Sequence, residues 1–422
     1  MTQHLSFQAE AQGKIIPTLL VHIEFFNFDT PDLHELEELA ATAKFHVVTT
    51  VLGRRDQPDA KFFIGSGKVQ ELKDLKNLHE IKLIIFNHDL SPSQERNLEK
   101  ELECQVMSRT GLILEIFSQR ARTHEGKLQV QLAQLEYQST RLVRGWTHLE
   151  RQRGGIGVRG GPGETQLEID KRLIRKQIKK IKTELEKVKT QRQLGRSARK
   201  KSNIPTISLV GYTNAGKSTL FNRLTHADVY VANQLFATLD PSIRKVTVPY
   251  FGEAYLADTV GFIRNLPHDL VEAFHATLVE TIEADLLLHV IDVANPDYEL
   301  QREQVLAVLA EIKASDRPIL EVMNKIDLKP QTSAHIKQGL DQKPGQVFIS
   351  AAKNMGVDLL WQAIAERLGG PIIEQEIILR PDQGAHYAQL QALKVIQSEC
   401  STEAGEWLIK VRAVKNCLSI FN

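Results

Sequence analysis

The stretch Gly211-Tyr212-Thr213-Asn214-Ala215-Gly216-Lys217-Ser218 constrains the fold most. It spells G-x-x-x-x-G-K-[ST] between an apolar run, Ile207 to Val210 (ISLV), and the helix-like segment Thr219 to Thr225 (TLFNRLT). Strand, loop and helix in that order are the context the motif requires. Its glycines let backbone N–H groups turn inward around phosphates. Lys217 can then reach the β- and γ-phosphate oxygens, and the Ser218 hydroxyl can ligate Mg2+. A chance match in a turn is the alternative, and three further motifs speak against it.

Leu256 to Gly261 (LADTVG) ends an apolar run in D-x-x-G. Asp258 there can hold the metal through water, the Gly261 N–H can sense a γ-phosphate, and Thr259 and Val260 line the same turn. Asn324-Lys325-Ile326-Asp327 closes a strand with N-K-x-D. An aspartate so placed accepts both N1–H and the exocyclic amine of guanine, a donor pair that adenine lacks, so ATP use is expected to be secondary at most. Ser350-Ala351-Ala352-Lys353 follows the apolar run Val347 to Ile349 and fits a second guanine-contacting loop. Four motifs in this order and spacing resemble the Ras-like P-loop GTPases.

Between the P-loop and Asp258 lies Gln234 to Pro241 (QLFATLDP), with Phe236 and Ala237 leading to Thr238. Thr238 is the expected switch residue, completing the Mg2+ shell when GTP is bound; Thr225 belongs to the P-loop helix and Thr259 to the D-x-x-G. Lys217, Thr238 and Gly261 form the expected catalytic set. Phe262 stands where Ras-type enzymes carry the glutamine that orients water, and a phenyl ring cannot hydrogen-bond water. Intrinsic turnover is therefore expected to be slow, near or below about 10⁻⁴–10⁻² s⁻¹, until a partner positions the water. Asn214 resembles the asparagine of GTPases that use a bound K+; its alternative role is to tie the loop to the neighbouring switch.

Upstream, short apolar runs at 19–26, 45–52, 82–86 and 105–107 alternate with helical patterns, including one opened by Ser91-Pro92, which predicts an α/β domain with a mostly parallel sheet over residues 1–120. The period then changes. Leu128, Leu132, Leu135, Leu142, Trp146 and Leu149 share one heptad register, and Leu167, Ile174, Ile178, Ile181, Leu185 and Val188 share another. Matched stripes with a joint between them predict an antiparallel coiled-coil hairpin over 121–195, with arms roughly 30–35 Å long. A linker at 196–203, the P-loop domain at 204–369 and a small α+β domain at 370–422 complete the expected α/β multidomain chain. The last domain should hold a helix near Tyr387 to Ser398 and a strand at Trp407 to Val411.

The joint, Gly154 to Gln166 (GGIGVRGGPGETQ), contains G-x-G-x-x-G, a dinucleotide-loop pattern. It follows a charged heptad helix rather than a strand, so the cofactor reading fails its context test. Two antiparallel helices need only a few residues to join, and this surplus, with Arg159, Gly160 and Gly161 at its middle, points to a probe. Gly65-Ser66-Gly67-Lys68 lacks the Walker spacing, leaving an RNA-backbone contact or a plain helix start.

A net charge of +1 conceals an asymmetry: residues 120–201 hold 22 Lys/Arg against 8 Asp/Glu, and the remainder 31 against 44. Such a segment suits a polyanion. Within it Arg172, Arg175, Lys176 and Lys179 lie off the apolar stripe, as cations for RNA phosphates. The alternative is a solvated helical surface. No run is long enough to span a bilayer, no secretory leader is apparent, and three scattered cysteines suit a reducing cytoplasm.

More specific likenesses follow. Gly261 to Leu278 with Ala284-Asp285, Ala237 to Pro241, Ile64 to Val69, Phe86-Asn87 to Ser91-Pro92, Arg109-Thr110, Arg120-Ala121, Gly126 to Val130 and the glycine-rich tip resemble the HflX family over roughly residues 15–370. That resemblance implies a cytoplasmic GTPase, expected to be a monomer using GTP, GDP and Mg2+. It also implies binding to the large ribosomal subunit and its rRNA, and splitting of stalled or stress-arrested ribosomes in the GTP state. Two other readings stay open: a GTP-gated RNA-binding assembly factor, and a signalling switch whose hairpin is an ordinary interaction arm.

Overall fold

The computed structural model describes residues 16–26, 32–142, 166–201, 204–226, 235–236, 242–263, 280–339, 341–380, 382–393, 395–401 and 406–418. The expected tip residues Arg159, Gly160 and Gly161, the stripe residues Trp146 and Leu149, and the switch residues Ala237 and Thr238 lie outside them. The chain divides into two compact units, one running to Thr190 and the other starting at Gln191.

In the first unit, strands β1 (Pro17–Phe25), β2 (His46–Arg55), β3 (Leu83–Phe86) and β4 (Gln105–Met107) alternate with helices α1 (Leu33–Thr42), α2 (Ser66–Leu78), α3 (Pro92–Leu102) and α4 (Arg109–Arg120). The sheet order is β2-β1-β3-β4 and every pairing is parallel. β3, LIIF, is buried along its whole length, which is why it reads as an unbroken apolar run rather than an alternating one. Ser91 forms a capping box: its hydroxyl accepts from Gln94 N at 3.3 Å and Gln94 Oε1 accepts from Ser91 N at 2.9 Å. Gly65 is the N-cap of α2 and Lys68 pairs with Glu71 at 2.8 Å, so the Gly65–Lys68 stretch is a helix start.

The residues Asn87 and Arg109 meet in a buried polar knot. Arg109, 2% exposed, donates to Asn87 Oδ1 at 2.8 Å and pairs with Glu35, itself 7% exposed. Asn87 Nδ2 donates in turn to Asp32 O at 3.0 Å, tying the start of α1 to the ends of β3 and β4. Removing one member of a buried ion pair leaves the other uncompensated, at about 3–5 kcal/mol. Arg109→Met is therefore expected to lower unfolding free energy by that amount in a denaturant titration; a loss under about 1 kcal/mol would show that Glu35 finds water or another partner.

Helices α5 (His124–Leu142) and α6 (Gln166–Lys201) follow. Leu128, Leu132 and Ile181 form their buried seam, with Leu135, Ile178 and Leu185 packed against it, and Lys182 pairs with Glu136 at 2.9 Å. These are the residues picked out by the heptad stripes. One difference emerges: α6 runs on to Lys201, through most of the stretch expected to be linker. A single glycine, Gly195, costs a helix only about 1 kcal/mol, and no proline intervenes before Pro205.

The second unit is built on a sheet of seven strands: β5 (Thr206–Gly211), β6 (Ser242–Val248), β7 (Gly252–Asp258), β8 (Leu286–Asp292), β9 (Ile319–Asn324), β10 (His335–Gln338) and β11 (Pro344–Phe348). Their order is β10-β11-β9-β8-β5-β7-β6, with antiparallel strands at both edges. Helices α7 (Lys217–Thr225), α8 (Tyr298–Glu311) and α9 (Val357–Gly369) accompany it. Strand order turns back around β5, so the carboxyl ends of β5, β7, β8 and β9 open on the crevice where open α/β sheets bind ligands. A second, antiparallel sheet, β12 (Ile372–Leu379), β14 (Trp407–Val414) and β13 (Ile396–Ser401), carries α10 (Gly384–Leu393). The helix expected to reach Ser398 thus stops at Leu393. Ile396 to Ser401 instead pairs with β14, because Val395 and Ile396 join the apolar core under that sheet.

Candidate nucleotide site

β5 is buried from Ile207 onward and delivers the chain to Gly211 at the sheet's end. There Asn214 takes a left-handed conformation, φ 61°, and Gly216 follows at φ 94°. A Cβ at Gly216 would lie 2.4 Å from Asn324 Nδ2, so only glycine fits. The helix beginning at Lys217 aims its free N–H groups back into this loop, the arrangement that binds phosphate.

Lys217 is 6% exposed, and its ammonium donates to Gly211 O at 3.0 Å and Tyr212 O at 2.7 Å. Burial pushes it down to about 8, with Asp258 pulling part of the way back. Ser218 Oγ donates to Asp258 Oδ2 at 3.0 Å, and Asp258 is fully buried. One hydroxyl and one carboxylate in contact are a hard oxygen pair that suits Mg2+. Thr219 continues the helix, half-buried, while Thr259, 1% exposed, donates its hydroxyl to Leu209 O at 2.5 Å. Thr259 thus fastens β7 to β5.

Gly261 lies against the P-loop. A Cβ on it would come within 2.9 Å of Thr213 Cγ2 and 3.0 Å of both Lys217 Nζ and Thr213 Cα. Beyond it the backbone pairs with the loop: Thr213 N donates to Phe262 O at 2.7 Å and Phe262 N donates to Gly211 O at 3.1 Å. The Phe262 ring is 3% exposed. Sequence alone shows that Phe262 cannot orient water; the structure adds that it anchors the start of this segment. Val260 is 8% exposed and Phe236 2% exposed, the latter with φ 53°.

At the carboxyl end of β9, Asn324 is 2% exposed and makes a bond in each direction. Its Nδ2 donates to Ala215 O at 2.8 Å, and its Oδ1 accepts from Ala351 N at 3.0 Å. Lys325, at φ 64°, pairs with Asp292 Oδ2 at 2.7 Å. That turn leaves Asp327 exposed on a short 3-10 turn, Ile326–Leu328. Ser350, 1% exposed, accepts from Lys353 N at 3.1 Å, folding its loop back on itself, and Ala352 is exposed. The sequence motifs and their neighbours therefore converge on one crevice. Asp292 was not singled out by sequence; its signal is an acidic residue ending a mostly apolar strand, LLLHVID.

Comparison with known proteins gives the family. Residues 30–118, 120–199 and 206–325 match family models described as GTP-binding GTPase N-terminal, GTP-binding GTPase Middle Region and 50S ribosome-binding GTPase. GTPase HflX of Escherichia coli (strain K12) is 52% identical over 395 residues, covering 93% of this chain and 92% of that protein. The chain belongs to the HflX family of GTPases. GTPase HflX of Magnetococcus marinus is 48% identical over 360 residues, covering 85% and 83%. The crystal structure of a GTP-binding protein from Sulfolobus solfataricus in complex with GDP aligns with a TM-score of 0.44 and 26% identity, over 84% of this chain and 99% of that one. As an HflX-family member the chain is a GTP hydrolase, and Mg2+ is the metal that this class of enzyme uses.

The Lys217 environment yields a pH signature. With a value of about 8, Lys217 is largely neutral at pH 9, and a polyphosphate beside it restores the charged form. GDP binding at pH 9 is expected to take up close to one proton, and much less at pH 7, where Lys217 already carries its proton. Calorimetry in buffers of different ionisation enthalpy reads this number; binding without uptake at pH 9 would contradict it.

Proposed function

We propose that this HflX-family GTPase binds the large ribosomal subunit through its rRNA and, with GTP bound, splits stalled or stress-arrested ribosomes, hydrolysis allowing release. The observation that carries the reading is the charge on α6. Arg172, Arg175, Lys176 and Lys179 are exposed there, while Ile174, Ile178 and Ile181 of the same helix are turned into the hairpin. Each phosphate such cations neutralise adds salt-dependent affinity without sequence preference. The family description 50S ribosome-binding GTPase, matched by residues 206–325, names the same polyanion.

In this reading Gly211 to Thr219 cradle the phosphates, with Lys217 neutralising charge as it develops on the γ-phosphoryl group. Ser218, Thr238 and, through water, Asp258 would hold Mg2+, which would supply positive charge against the phosphates. The Gly261 N–H reports the γ-phosphate. Asn324, Lys325 and Asp327, with Ser350, Ala351 and Ala352, hold guanine, so ATP is a secondary substrate at most. Asn214 would hold K+ or, alternatively, tie the loop to the neighbouring switch. Arg159, Gly160 and Gly161 touch rRNA at the hairpin tip. The protein works as a monomer in the cytoplasm.

Sucrose-gradient sedimentation of ribosomes with the protein and GTP separates the readings. Loss of monosomes into subunits is the expected result. Co-migration with the large subunit alone would support an assembly factor instead, and no association would overturn ribosome binding. Since Phe262 is buried and orients no water, ribosomes are also expected to raise GTP turnover at least about tenfold.

A further inference from the structure

Helix α7 carries more than the phosphate end of the site. Lys217 and Ser218 lie in its first turn and Arg223 in its last. The Arg223 guanidinium reaches the second base loop: its Nε donates to Ala351 O at 3.3 Å and its Nη2 donates to Ala352 O at 3.1 Å. No sequence motif of a P-loop site points to this residue, which is exposed and lies at the end of α7 opposite Lys217.

Two consecutive carbonyls held by one rigid fork fix two consecutive peptide planes. A trans peptide sets its N–H opposite its C=O, so the grip on Ala351 O determines where the Ala352 N–H aims. The grip on Ala352 O does the same for the Lys353 N–H, which the Ser350 hydroxyl receives at 3.1 Å. Asn324 holds the remaining handle, Ala351 N, at 3.0 Å. The loop is thus clamped from two elements, β9 through Asn324 and α7 through Arg223. A lysine could not reproduce the second clamp, because an ammonium is a point donor whereas guanidinium offers a planar fork.

We infer that Arg223 is a positioning residue for base recognition: it orients the Ser350–Lys353 backbone so that the Ala352 N–H meets the oxygen on the six-position of guanine. This rests on the assignment of that loop to guanine made above. It assigns specificity to a side chain on the P-loop helix that itself touches neither phosphate nor base.

Nucleotides differing at single positions of the purine test it. IDP keeps the six-position oxygen and lacks the exocyclic amine; ADP carries an amino group in place of the oxygen. In Arg223→Ala, GDP and IDP affinities are expected to fall together by about 3- to 10-fold, the worth of one or two hydrogen bonds. ADP affinity and the GDP/IDP ratio should hold. Arg223→Lys should recover only part of the loss. An equal fall for all three nucleotides would show a merely structural role, and unchanged GDP affinity would show no role; either overturns the inference. If the unaltered protein fails to prefer GDP over ADP, the guanine assignment fails and the inference with it.

Discussion

The Asn324 carboxamide is the joint on which the nucleotide site depends. It is almost completely buried, so both of its polar ends must be satisfied by protein. It satisfies them on two different loops, Ala215 O of the phosphate cradle and Ala351 N of the base loop. Those loops are more than a hundred residues apart in sequence and hang from different strands, β5 and β11. Without a rigid member between them, the separation of the two loops would be free to drift. The approach is close enough that position 216 admits no side chain, which explains the second glycine of the P-loop without reference to phosphate.

The same economy governs the switch side of the crevice. Gly261 has no side chain because Thr213 and Lys217 stand where one would go. The pairing of Phe262 with Gly211 and Thr213 extends the β5 end beyond the last regular strand residue. The Phe262 ring is thereby part of the core rather than facing solvent. In the first unit, the Arg109–Glu35–Asn87 knot performs an analogous task, fixing the carboxyl ends of a small parallel sheet with buried polar contacts rather than apolar ones. Specificity of geometry, more than added stability, is what such buried networks supply.

Much of this was legible in the sequence where the code is local. G-x-x-x-x-G-K-S, D-x-x-G and N-K-x-D announce their turns through glycine and spacing, Ser91 before Pro92 announces a helix start, and the heptad stripes name the seam residues Leu128, Leu132 and Ile181. What sequence could not show is non-local. Nothing in N-K-x-D says that Asn324 bridges two loops, or that Asp292 waits beside Lys325. Ile396 to Ser401 reads as the tail of a helix until its antiparallel partner, β14, is in view. The expected linker reads as polar and loose, yet helix continues through it because nothing forbids it before Pro205.

Affinities of GDP and ADP for two variants test the role of the joint most directly. On the proposed assignment of Asp327 to guanine, Asp327→Asn replaces one of two accepting oxygens with a donor, so GDP affinity is expected to fall while ADP affinity holds. Asn324→Ala loosens the phosphate cradle as well, so it should weaken GDP and ADP together, each by about tenfold or more, the penalty for orphaning two buried partners. An Asn324→Ala protein that lost guanine preference yet bound ADP as tightly as its parent would show that the phosphate cradle stands without Asn324, contradicting the central claim.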